Sequence, residues 1–175
     1  MLRTWPTSGD GQRRIGHSTK YLVSWRKHLS QIIKHYQGRT MDNRDADELR
    51  NILTSSKTIA VVGMSPDPAR PSNEVARYLM AHGYTVIPVN PGQQEILGLV
   101  CYPSLDMIPE KVDIVDVFRN SADVPPIAEA AIRIGAKCLW LQLGVSHPAA
   151  EKMAGEAGLK VVVNRCTKLD HMHWL

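Results

Sequence analysis

Lys57-Thr-Ile-Ala-Val-Val-Gly63-Met-Ser-Pro-Asp-Pro-Ala-Arg-Pro-Ser72 contains a β-branched apolar run that stops at a glycine. Thr58–Val62 reads as a buried strand, and a polar, proline-rich loop follows it. Residues 73–82 then show helical spacing of apolar side chains, and Gly83 marks the end of that helix. Strand, glycine turn, loop and helix in this order open a nucleotide-binding α/β fold. Gly63 lets the backbone approach a ligand without a Cβ in the way. The helix start, with Ser72 as the expected N-cap, offers unpaired N–H groups and the positive end of a dipole to a phosphate. A dinucleotide fingerprint needs three glycines in Gly-x-Gly-x-x-Gly, and only Gly63 stands here.

Outward from this stretch the pattern stays regular. A short helix over 46–53 feeds the first strand, and Thr85–Val89 forms the second, closed by Asn90-Pro91-Gly92. A short edge strand is expected over 99–102 and a single helical turn over 104–108. Further strands are expected over 112–118, 138–143 and 160–164, with helices over 127–134 and 148–157. The last residues, with His171 and His173, read as a flexible tail. Strands alternating with helices predict a Rossmann-like, doubly wound α/β fold. Its sheet is mainly parallel, with five to six strands and helices on both faces.

The charge divides unevenly. The chain carries a net +4, yet residues 1–40 hold eight Lys/Arg against Asp10, so the remainder carries −3. Residues 1–41 read as a basic extension, largely disordered or loosely helical, with Met41 as an alternative natural start. Residues 42–175 form the folded domain. The basic pI therefore belongs to the extension, and nucleic acid is disfavoured as a partner of the domain. No run of about 18 apolar residues exists to span a membrane. Cys101, Cys138 and Cys166 are scattered and odd in number, which reads as reduced thiols in a cytoplasmic protein.

Ligands of an open parallel sheet sit beyond the carboxyl ends of the strands. Those ends hold Gly63, Met64 and Ser65; Val89, Asn90 and Pro91; Phe118, Arg119 and Asn120; Gln142, Leu143 and Gly144; and Asn164 and Arg165. Arg70 lies just before the second helix and can reach a phosphate. An Asp or Glu at the end of the second strand would mark a nicotinamide dinucleotide site, but Asn90 and Pro91 stand there. Arg119 either serves a ligand or pairs with Asp113 or Asp116, and Asp116 needs a structural partner on its covered face. There is no carboxylate pair, no Ser/His/Asp set and no clustered metal ligands, so the chain reads as a binding protein with no catalytic residues and no metal.

Residues 42–170 resemble the CoA-binding domain family in its small standalone bacterial form. The same Rossmann-like domain forms the N-terminal part of the succinyl-CoA synthetase alpha subunit. The matching stretches are Ile-Ala-Val-Val-Gly-Met-Ser (59–65), Arg-Pro-Ser (70–72), Val-Ile-Pro-Val-Asn-Pro (86–91), Val-Asp-Val-Phe-Arg (115–119), Leu-Trp-Leu-Gln-Leu-Gly (139–144) and Asn-Arg-Cys-Thr-Lys (164–168). The resemblance implies coenzyme A or an acyl-CoA at the strand ends. Gly63, Met64 and Ser65, with Arg70, Pro71 and Ser72, would take the phosphates. Val89, Asn90 and Pro91 would face the adenosine, and Gln142, Leu143 and Gly144 the pantetheine. Synthetases of the family also need a phosphorylated histidine in a second domain and a nucleotide-grasp domain, so synthetase activity does not carry over.

The leading expectation is a non-catalytic module for a small nucleotide ligand, CoA or acyl-CoA. The alternative is an NAD(H)-binding redox sensor or regulator, supported only by the basic N-terminus. A third reading, an enzyme acting on CoA thioesters, needs an activated thiol. A homodimer or another protein partner stays open.

Overall fold

The computed structural model describes residues 43–175, so the expectations for residues 1–41 lie outside the described residues. Helix α1 (Asn43–Ser55) leads into β1 (Thr58–Val62), and α2 (Pro71–Ala81) connects β1 to β2 (Thr85–Val89). A small antiparallel hairpin, β3 (Glu95–Ile96) and β4 (Leu99–Val100), follows. Then come β5 (Ile114–Val117), α3 (Val124–Arg133), β6 (Cys138–Leu141), α4 (Pro148–Glu156), β7 (Lys160–Val162) and α5 (Thr167–Trp174).

The main sheet has five strands in the order β2-β1-β5-β6-β7, all parallel. The chain is thus Rossmann-like α/β, as the alternation implied. From β1 it winds first to β2 on one side, and it later returns to add β5 on the other. The boundary between β1 and β5 is therefore the topological switch point.

Burial follows from this layering. Every residue of β5 and β6 is buried, which explains why their sequences lack a polar alternation. One face of the sheet, including Val62, Val89, Val117 and Leu141, shares a cluster with Val124, Ala128 and Ala131 of α3 and Ala150 and Ala154 of α4. Alternate residues, Ile59, Val61, Ile114, Asp116 and Trp140, are also fully buried and point to the other face. Each fully buried Val, Leu or Ile contributes about 1.5–3 kcal/mol, so the five-stranded core dominates stability.

Three expectations require correction. Helix α2 begins at Pro71, not at Asn73, and its N-cap is Arg70, which makes no side-chain cap. Pro71 at the first helical position needs no N–H partner and has a preset φ, so helix starts two residues early. The expected flexible tail is helix α5, which packs on α1 and α2. Its Tyr78 contact, 2.9 Å between Tyr78 Oη and His171 Nδ1, places His171 in a ring cluster with Tyr84 and His82. The edge strand expected over 99–102 pairs mainly with Glu95–Ile96 outside the sheet, and it is bridged to the sheet at Val89–Tyr102.

Candidate functional site

Gly63 ends β1 with φ +82°, a conformation costly for any residue with a Cβ. Its N–H donates to the Val89 carbonyl at 2.9 Å, which ties the end of β1 to the end of β2. A Cβ on Gly63 would lie 2.6 Å from the Phe118 carbonyl oxygen and 2.7 Å from Arg119 Cδ. Three strand ends therefore converge on this glycine, and the protein's own backbone already fills the space a side chain would need.

The loop after Gly63 is held by neutral side chains. Asn90 Nδ2 donates to the Met64 carbonyl at 2.9 Å, and Asn90 Oδ1 accepts from Gly92 N at 2.9 Å. Ser65 N–H donates to Ser72 Oγ at 3.0 Å, while Asn73 Nδ2 donates to the Ser65 carbonyl at 2.9 Å. Ser72 is thus buried beneath the loop and is not a cap. Met64 is wholly buried, so its side chain meets no ligand. Asn73 was missed by the sequence reading; it is wholly buried, and its Oδ1 has no hydrogen-bond partner.

Arg70 on the loop, Pro71 at the first position of α2 and Pro91 are exposed. Phe118 is half-buried, and Arg119 is exposed. Arg119 pairs with Asp123, one helical turn on, at 3.0 Å, and not with Asp113 or Asp116. Asp113 pairs with Lys137 at 2.7 Å. An exposed i,i+4 pair is worth only about 0.3–0.5 kcal/mol, so this pairing holds Arg119 weakly.

Asp116 finds its partners elsewhere. Gln142 Nε2 donates to its two oxygens at 2.9 and 3.1 Å, and Thr167 Oγ1 donates at 2.9 Å. Complete burial pushes the Asp116 carboxyl up to about 7, against the pull of those two donors. Thr167, also missed from sequence, begins α5 and so anchors that helix to the sheet. Leu143 is half-buried, and Gly144 N–H donates to Asn164 Oδ1 at 2.7 Å. Asn164 takes φ +55° to reach it. The strand ends expected from sequence are brought together at one edge, but several of their side chains are occupied in bracing one another.

Burial raises all three thiols: Cys101 upward, Cys166 to about 11, and Cys138 further still. Among the described residues no group of three His, Cys, Asp or Glu side chains could hold a metal ion. No described helix is long and apolar enough to cross a membrane.

A family model described as a CoA binding domain matches residues 57–172. The chain belongs to the CoA-binding domain family. The uncharacterized protein YneT of Bacillus subtilis is 40% identical over 131 residues, covering 75% of this chain and 97% of that protein. This CoA-binding domain also matches the solved structure of a hypothetical protein from Pyrococcus horikoshii. That match has 45% identity and a TM-score of 0.73, covering 74% of this chain and 91% of the other. Acetate–CoA ligase (ADP-forming) I of Archaeoglobus fulgidus is 40% identical over 73 residues, covering 42% of this chain but 11% of the ligase. The CoA-binding domain is thus similar both to small standalone proteins and to one part of a much larger ligase.

Proposed function

We propose that this domain binds coenzyme A or an acyl-CoA and does not itself transform it. The observation that carries the reading is the end of β2. A nicotinamide dinucleotide site needs a carboxylate there for the ribose hydroxyls. Asn90 is neutral, and both ends of its amide are engaged, with the Met64 carbonyl and with Gly92 N–H.

The donor set fits a polyanionic ligand with a neutral base. Ser65 N–H is spent on Ser72 Oγ, whereas Met64 N–H and Ser72 N–H donate to no acceptor among the described residues. In this reading Ser72 N–H, the α2 dipole and Arg70 hold phosphate, with Arg119 in reach. Val89, Asn90 and Pro91 border the adenosine, and Gln142, Leu143 and Gly144 border the pantetheine. Bound CoA would supply a thiol for acyl transfer, and this chain would supply binding and orientation. The buried, protonated thiols support the non-catalytic part of the reading and suit a reducing cytoplasm. The ligand is assigned to residues 42–175, without the basic extension.

Isothermal titration of the full chain with CoA, 3′-dephospho-CoA, NAD and NADH tests the proposal. CoA should bind most tightly, with a loss on removing the 3′-phosphate. Tight NAD or NADH binding with no CoA signal would overturn it in favour of the redox-sensor alternative.

A further inference from the structure

Two described aspartates are wholly buried, Asp116 and Asp170. Asp170 is neutralised by Arg165, whereas the hydrogen-bond partners of Asp116 are Gln142 and Thr167, both uncharged. These three close a ring. Gln142 Nε2 also donates to Thr167 Oγ1 at 2.9 Å, so both amide hydrogens of Gln142 are committed inward. A carboxylate cannot donate, so it admits only the NH2 branch of the amide. Gln142 Oε1 receives no donor from a described residue and is not among the side-chain atoms sealed from solvent.

We infer that Asp116 is a positioning residue: it fixes the Gln142 carboxamide with its oxygen toward the carboxyl edge of the sheet. That end of the site then offers a hydrogen-bond acceptor, and it takes a ligand segment bearing an N–H or O–H donor, such as a secondary amide. A segment ending in a carboxylate is rejected there. The identity of the ligand rests on the CoA reading, since the pantetheine arm carries two secondary amides; the orientation of Gln142 does not.

Protonation removes the constraint, because a neutral acid can donate to Oε1 as readily as it accepts from Nε2. The groups around Asp116 do not compensate its charge. The Cys138 thiol of β6 and Gln142 just beyond that strand lie near it, as do Thr167 at the start of α5 and the Cys166 thiol before it. Burial keeps both thiols protonated. Across β1 its register partner is Val61.

The test uses the full chain labelled with 15N, the Gln142 side-chain NH2 pair being assigned through Gln142→Met. At about pH 8, where a carboxyl titrating near neutrality is ionised, this pair should exchange slowly with solvent. Its shifts should follow one titration near neutrality, absent in Asp116→Asn. Fast exchange in the wild type overturns the inference. A second arm compares CoA with its nucleotide portion, 3′-phospho-ADP. Asp116→Asn and Gln142→Met should each weaken CoA by roughly fivefold, one neutral hydrogen bond, and leave the nucleotide within about twofold. Equal losses for both ligands, as a purely structural role would produce, overturn it. If the wild type binds neither ligand the CoA reading falls, and solvent exchange alone then decides the orientation.

Discussion

Asn90 Nδ2 donates to the Met64 carbonyl oxygen at 2.9 Å, and this single bond joins the ends of two strands at the head of the candidate site. Asn90→Asp removes the donor and sets a carboxylate against a carbonyl. It should cost about 1–3 kcal/mol, the penalty of an unsatisfied, part-buried polar group, measured by denaturant unfolding. It should also weaken CoA without creating NAD affinity, because the loop it braces would shift. A fully stable Asn90→Asp protein that gains NAD binding would show that the residue is a ligand selector only.

Gly63→Val should destabilise the free protein. A left-handed backbone costs roughly 1–2 kcal/mol for a residue with a Cβ, and overpacking adds about 1–3 kcal/mol. The obstruction at 2.6 Å is the Phe118 carbonyl, which is backbone and cannot move aside cheaply. Thermal unfolding without ligand reads this directly. An unchanged melting temperature would mean that the close approach is relieved by a local shift.

Arg70→Ala should leave stability within about 0.5 kcal/mol, as for other exposed positions. Its effect should fall on the ligand, a loss on the order of 1–3 kcal/mol for a charge-assisted bond, smaller at high salt. Titrations with CoA at two ionic strengths measure it. Salt-independent loss would argue against a phosphate contact.

The Asp116 carboxyl titrates in the fold at about 7, raised from 3.8 by burial. Between those values the folded state holds a proton that the unfolded chain has shed, so stability falls as pH rises from about 4 to 7. A shift of this size is worth on the order of 4 kcal/mol once both states have ionised. Asp116→Asn should flatten that part of the stability–pH curve. An unchanged slope in the variant would place the titrating group elsewhere.

Cys101, Cys138 and Cys166 form no disulfide and are all buried, with thiols raised above their ordinary range. The native protein at neutral pH should therefore resist alkylation, and all three should react in denaturant. Mass spectrometry counts the adducts. A thioester adduct formed from acyl-CoA under native conditions would revive the enzymatic reading.

The layered α/β fold was legible in residues 57–83 because its signals are local: a β-branched run, a glycine that must turn, and helical spacing after it. The neutral corner at Asn90 could be read the same way, from the residue type at a strand end. What Asn90, Ser72, Gln142 and Asp116 actually touch could not. Asn90 meets Met64 across 26 residues, and Gln142 and Thr167 meet Asp116 across 26 and 51. Such partners become neighbours only when parallel crossovers bring strand ends to one edge, where an unpaired polar group costs more than any local preference supplies. Composition and spacing thus determined the sheet, its glycine turn and the neutral corner at Asn90. Tertiary packing decided which polar side chains brace the rim and which atoms remain to meet a ligand, because hydrogen-bond partners are set by proximity in space.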